Sequence, residues 1–559
     1  MRIIVLGGLG EVGMNCLALE QGGEALVVDC GVTFDNRGLG IDVVHPDFGA
    51  LDGYRIAGIF VTHGHEDHIG AIPYFLRRFD APVFGPAYAL GLLRERAAEH
   101  EVLAHADLRC VRPRARERVG SFVVEPVRVT HSIADATALA IRTEAGLVVH
   151  TGDFKFDDAP PDGEVFDVER FGELAREGVD LLFSDSTNID AAGPTGSEEG
   201  VGEALEAIVA GADQAIVVAM FASNVHRLRM LGEIARRHGR KIVPLGRSVT
   251  THARVARATA RSTGEHAGRP YLEWPVDLVW PPERARELSK RQILAVATGS
   301  QGEKMAALAR LSRGDHNALD LGKGDVVVLS SRVIPGNEPE VMQLMNDLLR
   351  REVDVRSWHS SRAVHVSGHA HRQEQRRMLE LVEPRAFVPV HGTLHHLLRH
   401  AELARDVGVP AVTVLENGDV ATLEANGAGV RKTDRVQSGR VYVAAGRVLP
   451  ERVIAERAAL ASLGAVHVAV ALDAQGHLAG DVAIATRGVI DPDADDVLVD
   501  AARKEARSAF EALLALAELG ERLDDERVAE TVRLAVRRTL AKALGFKPVT
   551  TASVVRVRR

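Results

Sequence analysis

His63-Gly64-His65-Glu66-Asp67-His68 sets three imidazoles and two carboxylates within six residues, directly after the apolar run 56–61. In an extended segment side chains alternate, so His63 and His65 point the same way and can share one ion. Asp67 and His68 lie past the turn and can face a second ion. Neutral imidazole suits zinc and other transition metals, and carboxylate oxygen suits zinc or manganese. The competing reading is a polar loop that holds three histidines by chance, an accident short motifs do produce.

The chain has 559 residues, too many for one core, and about three domains are expected. Hydrophobic residues make 46% and charged residues 26%, an ordinary globular mix. No apolar run approaches the ~18 residues of a membrane span. The opening segment 1–7 is too short for a signal peptide and reads as a first strand entering a Gly-rich turn. A cytoplasmic protein without membrane contact is the expectation. Cys16, Cys30 and Cys110 show no CxxC spacing, which argues against a disulfide framework or a cysteine–zinc site. Buried small apolar residues is the simpler reading. The net charge of −9 gives no bulk support for nucleic-acid binding. A local basic channel would suffice, however. The stretch with Arg109, Arg112, Arg114, Arg116 and Arg118 is either such a patch or a solvated loop.

Gly8-x-Gly10-x-x-Gly13 matches a dinucleotide fingerprint, but no helix-length period follows before the next apolar run at 25–28. It reads as a β-hairpin turn. From 56 to 185, apolar runs end one after another in polar clusters: 56–62 before the histidine loop, 122–130 before His131-Ser132, 147–151 before Gly152-Asp153, and 179–184 before Asp185-Ser186-Thr187. Strands that all end in His or Asp describe a sheet with its chemistry on one edge. Residues 197–350 differ. Helical periods at 198–210, 225–238 and 249–259 alternate with strand-like runs at 215–220, 241–245, 293–298 and 326–331, which predicts an inserted, doubly wound α/β domain. Its strand ends carry Gly, Ser, Thr and Arg, suited both to anions and to turns. Strands and His-rich turns then return at 364–370 and 387–393. Beyond Asn426 come short β-like pieces. A strand pair follows at 466–472 and 481–486, then amphipathic helices at 499–519 and 524–544 and a strand at 549–557.

The resulting layout is 1–195 and 351–425 as two parts of one α/β sandwich, with 196–350 inserted. A linker is expected at 426–452 and a C-terminal α+β accessory domain at 453–559. The strand ends give His63, His65, His131 and Asp153 as ligands of one metal. Asp67, His68, a shared Asp153 and the late His391 suit a second. A carboxylate shared by two ions holds them ~3.5–4 Å apart, the spacing of phosphoryl chemistry.

The histidine loop, a strand-end His and Thr151-Gly152-Asp153 together resemble the metallo-β-lactamase superfamily. The insertion narrows this. Asp185, His369 in Ser367-Gly368-His369-Ala370, and His391 in Val390-His391-Gly392 are similar to motifs A, B and C of the β-CASP nucleases. In that group a His at motif C goes with RNA, a Val with DNA. The layout as a whole, with Gly8-Leu-Gly10-Glu11-Val-Gly13-Met-Asn15 at its start, resembles the bacterial ribonuclease J family. The chain starts close to its first strand, so the basic leader of some members is expected to be missing.

The resemblance implies an αββα metallo-β-lactamase sandwich with an inserted β-CASP domain. It also implies a two-metal ribonuclease, with two divalent ions per subunit, Zn or Mn. Such an enzyme is a 5′-to-3′ exonuclease that prefers 5′-monophosphate RNA, also cuts internally, and serves RNA maturation and mRNA decay. Asp67 is a ligand that can also accept a proton from the attacking water. His369, oriented by Asp185, is the implied general acid. The alternative for Asp185 is a helix N-cap. The implied phosphate pocket is His365, Val366, Ser367, Gly368 and His369, with Ser330 and Ser331 as helpers. Expected partners are single-stranded RNA, a second copy of the chain (or a tetramer) through the C-terminal domain, and other RNA-decay proteins. His45, His100, His105, His150, His226, His238 and His316 read as surface or core residues. His371, His395 and His396 lie near the motifs without filling a ligand position. Three rival functions follow from the same residues: a DNA nuclease, a non-catalytic RNA-binding subunit and a small-molecule hydrolase. His391, the complete ligand set and the long insertion argue against them in turn.

Overall fold

The computed structural model describes residues 1–559 apart from 265, 335, 359, 425–428, 492, 493, 519–523, 558 and 559. Its chain divides into two units, Met1–Thr33 with Val44–Arg440, and Phe34–Val43 with Val441–Arg559.

The larger unit is built on two facing sheets. The first has the order Val430–Arg435, Asp419–Leu423, Arg2–Gly7, Cys16–Gln21, Glu24–Val28, Arg55–Phe60, Val83–Gly85, Leu108–Cys110. The second has the order Ala411–Val412, Ala386–Val390, Leu181–Asp185, Gly146–His150, Thr137–Thr143, Phe122–Arg128, Glu117–Val119. Val5, Leu17, Leu26 and Phe60 of the first meet Val124, Leu139, Val148, Phe183 and Val388 of the second in one core. Each fully buried side chain of this size contributes ~1.5–3 kcal/mol. The far face of the second sheet is covered by helices Val168–Glu177, Arg372–Val382 and Leu394–Val407, through Phe171, Leu174, Met378, Leu379 and Leu403. Strands buried on both faces must be apolar throughout, which is why Leu147–Val149 and Leu181–Phe183 read as unbroken apolar runs.

This sheet gathers the chemistry. Phe122–Arg128, Gly146–His150, Leu181–Asp185 and Ala386–Val390 run in the same direction. Their carboxyl ends therefore deliver His131, Asp153, Asp185 and His391 to one edge. Asp185 sits beside Val390 in the parallel register, although the insertion separates them in sequence. The expected hairpin turn is present, too. Arg2–Gly7 pairs antiparallel with Cys16–Gln21, and Gly8, Gly10 and Gly13 between them all have positive φ.

The insertion leaves after Leu181–Asp185 and carries a fully parallel sheet in the order Lys241–Leu245, Ile293–Ala297, Ile216–Ala219, Val326–Leu329, Asp354–Ser357. Helix starts at 198 and 225 are capped by Ser197 and Asn224, whose side chains accept backbone N–H groups. Asp354–Ser357 falls past the expected limit at 350, yet it pairs with Val326–Leu329 and so belongs to this sheet. The expected linker at 426–452 carries short strands, as its β-like pieces suggest. Val430–Arg435 pairs with Asp419–Leu423 in the first sheet, and a helix begins at Glu451. The expected boundary at 425/426 lies outside the described residues.

In the second unit Ala465–Leu472 runs between Ala483–Arg487, antiparallel, and Val549–Arg556, parallel. Helices Asp496–Glu518 and Asp525–Leu544 cover one face. Val528, Val532, Val536 and Leu540 recur every fourth residue and pack on Val466, Val468, Val470 and Leu472. Leu519, the expected end of the first helix, lies outside the described residues. No helix among the described residues is long and apolar enough to cross a membrane.

Candidate active site

His65 Nδ1 lies 3.0 Å from His63 Nε2 and 3.2 Å from His131 Nε2. Asp153 Oδ2 lies 3.6 Å and 3.7 Å from the same two Nε2 atoms. The edges of a tetrahedron drawn by ligands ~2.1 Å from an ion are ~3.4 Å, so this set has the size of a metal site. The protons are directed away from its centre. His131 Nδ1 lies 2.6 Å from the Gly368 carbonyl, which can only accept. His63 Nδ1 lies 3.0 Å from Thr62 Oγ1, whose own proton goes to Asp29 Oδ2 at 2.8 Å. Both Nε2 lone pairs are thus left facing inward. Burial pushes His63 and His131 well below the ordinary imidazole value and His65 down to about 4, so all three are neutral, the form that ligates.

Asp67, His68, Asp153 and His391 form a second group. His68 Nε2 lies 3.2 Å from Asp153 Oδ2 and 3.6 Å from Asp67 Oδ2. His391 Nε2 lies 3.3 Å from Asp67 Oδ2, and this buried nitrogen makes no hydrogen bond. Burial opposes ionisation of both carboxylates, but His68 beside Asp67 and His391 beside Asp153 hold them below the usual carboxylate range. An orphaned inward-facing nitrogen and two ionised carboxylates fit a divalent cation. Asp153 belongs to both groups.

The sequence reading missed the residues behind these ligands. Asp29, 1% exposed with φ 57°, accepts the Thr62 N–H and hydroxyl at 2.8 Å each and holds His68 Nδ1 at 2.7 Å. That fixes which nitrogen of His68 faces the site. Asp29 ends the apolar run 25–28, so the strand-end signal that found His131 and Asp153 was also present there. Asn15 Nδ2 donates to the Asp67 carbonyl at 3.2 Å. Gly31 fits because a Cβ there would lie 1.7 Å from that same carbonyl oxygen.

Asp185 is fully buried. Its Oδ2 lies 2.8 Å from His369 Nδ1, and its Oδ1 accepts the Thr187 N–H at 2.9 Å and hydroxyl at 2.7 Å. The N-cap alternative is not realised, because the next helix starts at Glu198 and is capped by Ser197. Burial works against the His369 cation, but the carboxylates of Asp185 and Asp153 raise its pKa above the ordinary value. Asp153, Asp185, His369 and His391 also converge as a group beside the second cluster.

In the loop before His369, His365 Nδ1 is buried without a partner, Val366 is buried and Ser367 is half-buried. Gly368 abuts the metal group: a Cβ there would lie 2.8 Å from His131 Cε1. Ser330 does not serve as a phosphate donor. It is fully buried, and its hydroxyl donates to the Val364 carbonyl at 2.7 Å, so it braces the loop from behind. Ser331 is nearly buried and accepts from Gln301 Nε2 at 3.3 Å. The arginine stretch is not a bare basic face either. Arg109 pairs with Asp107 at 2.6 Å, Arg114 with Asp167 at 2.6 Å and Arg116 with Glu125 at 3.0 Å. Of the remaining histidines, His45 and His150 are buried, and His395 is exposed and bonded to Asp190 at 2.8 Å.

Four family models match the chain. The metallo-beta-lactamase superfamily matches residues 9–176, and the ribonuclease J beta-CASP domain matches 213–348. The Zn-dependent metallo-hydrolase RNA specificity domain matches 361–414, and the ribonuclease J C-terminal domain matches 452–557. Ribonuclease J of Synechocystis is 40% identical over 88% of this chain and 76% of its own length. Ribonuclease J of Sinorhizobium meliloti is 35% identical over 99% and 96%. Ribonuclease J of Helicobacter pylori 26695 is 37% identical over 79% of this chain, which spans 63% of that relative. A solved protein of unknown function from Enterococcus faecalis V583 shares the fold, with a TM-score of 0.51 at 16% identity over 75% of this chain and 99% of its own.

Proposed function

This chain belongs to the ribonuclease J family and is a metal-dependent ribonuclease, and we propose that it works from the 5′ end. In this reading it releases mononucleotides from 5′-monophosphorylated RNA and cuts internally where RNA passes the same site. RNA maturation and mRNA decay in the cytoplasm are the processes this activity fits. The observation that carries the reading is one arrangement: two ligand groups sharing Asp153, with His369 held on buried Asp185 beside them.

His63, His65, His131 and Asp153 would hold one divalent ion, and Asp67, His68, Asp153 and His391 the other. When bound, such ions supply Lewis-acid stabilisation of phosphoryl charge and acidify water for attack. Zinc suits the group of three imidazoles, and manganese suits the group with two carboxylates. Asp67 can accept the proton that the attacking water loses. His369, kept charged by Asp185, gives a proton to the departing 3′ oxygen. His365 and Ser367 offer polar atoms to the 5′-terminal phosphate, and Ser330 holds the Val364 backbone behind them. A triphosphate brings more charge and bulk than this short loop can surround. We further propose a homodimer, or a tetramer, formed through 453–559. No cluster of metal-ligand type occurs there among the described residues, which favours an assembly role.

The test is one end-labelled sequence made as 5′-monophosphate RNA, 5′-triphosphate RNA and DNA, each with zinc and with manganese. Mononucleotides released mainly from the monophosphate RNA are expected. Equal cutting of the DNA would favour a DNA nuclease, and no cutting under either metal a non-catalytic RNA-binding subunit.

A further inference from the structure

Ser367 Oγ sits between two donors. Asn188 Nδ2 lies 2.7 Å away and the His369 backbone N–H 3.1 Å away. The orientation of the Asn188 amide is set by its second partner, the His369 carbonyl at 3.1 Å. A carbonyl only accepts, so the NH₂ group and not the amide oxygen must face this loop. A hydroxyl has two lone pairs and one proton. With both lone pairs of Ser367 taken, its proton is left as the group's free valence. Ser367 is half-buried, and no acceptor within hydrogen-bond reach takes that proton among the described residues. The His365 nitrogen without a partner lies two residues away on the same loop.

We propose that Asn188 is the positioning residue that turns Ser367 into a dedicated donor for the 5′-terminal phosphate, and so sets the preference for that end. The proposal rests on the 5′-end reading above. Asn188 makes no contact with the phosphate itself. It fills the acceptor capacity of Ser367 and so aims the hydroxyl proton at an anion. A hydrogen bond to a charged group is among the stronger ones, and its loss costs about tenfold or more in binding.

The experiment measures kcat and KM on one RNA carrying a 5′-monophosphate or a 5′-hydroxyl, and on a circular RNA without an end. The chains compared are wild type, Asn188→Ala, Asn188→Asp, Ser367→Ala and the Asn188→Ala/Ser367→Ala pair. In Asn188→Ala, KM for the monophosphate RNA should rise about tenfold beyond any change on the circular RNA, with the loss in KM rather than kcat. Asn188→Asp should lose more, because its carboxylate captures the Ser367 proton and repels the phosphate. The double variant should be no worse than Ser367→Ala alone, since the two residues act through one proton. Equal losses on circular and monophosphate RNA, or additive losses in the pair, would overturn the proposal. A wild type indifferent to the 5′-monophosphate would overturn the 5′-end reading and this proposal with it. A wild type with the preference and an Asn188→Ala that keeps it would overturn this proposal alone.

Discussion

His369 and Asp185 act as one unit. Burial alone would strip the imidazole of its proton, and the carboxylate 2.8 Å away reverses that. A raised pKa extends the charged form to higher pH, and general-acid cleavage falls as pH climbs through that value. Asp185→Asn removes the support, so the alkaline fall in kcat/KM should move to lower pH. A profile that only drops in height, without moving, would contradict the role. Asp29 makes a parallel case behind the second ligand group. Asp29→Asn should weaken binding of one of the two ions about 10–100-fold, as read by competition with a chelator, and leave the other nearly unchanged. Equal weakening of both would mean that Asp29 supports the fold at large. The candidate ligands could be picked out in the sequence because each lies past an apolar run that reads as a strand. Asn188 and Thr187 were not, because their meaning lies in partners: Asn188 meets Ser367, 179 positions later.

At the level of elements, parallel strands bring distant sequence to one edge, and their ends could be read in advance. The connection into the inserted sheet could not. Glu198, 1% exposed, opens a helix there and pairs with Arg227, 2% exposed, at 2.8 Å. Arg227 also donates to the Ser330 carbonyl at 2.5 Å, and Ser330 to the Val364 carbonyl at 2.7 Å, so one buried pair braces both ends of the insertion. An amphipathic pattern gives no notice of a salt bridge inside the core. Burial opposes the Glu198 charge, and Arg227 depresses its pKa. A depressed carboxylate stabilises the fold above its unfolded pKa of ~4.3, and that stability is lost as pH falls through the lower folded value. Arg227→Met should leave the buried carboxylate without its paired cation, with only the Asn224 amide at 3.0 Å as a side-chain hydrogen-bond donor, and cost about 3–5 kcal/mol near neutral pH. Its Glu198 pKa then rises, so the deficit against wild type should shrink between pH 8 and pH 5 in thermal unfolding. A deficit that does not change with pH would mean the loss is one of packing alone.

At the scale of the whole molecule, the three-part organisation was legible from changes in period, from strand ends to helix–strand alternation to paired long helices. Its limits were less so. Strand Asp354–Ser357 joins the inserted sheet, and Val430–Arg435 extends the first sheet, because backbone pairing ignores shifts in composition. The arginine stretch misled for a related reason: its partners Asp167 and Glu125 come from elsewhere in the chain. With a net charge of −9, recognition of RNA draws on local groups and not on an overall field. That makes metal loading the central claim. The most direct test titrates the metal-free chain with zinc or manganese. It counts bound ions per chain by mass spectrometry of the intact protein and measures RNA cleavage on the same samples. Two ions per chain in wild type, cleavage that appears only as the second binds, and fewer ions with no cleavage in Asp153→Asn are predicted. Full cleavage at one ion per chain, or unchanged loading of Asp153→Asn, would contradict it.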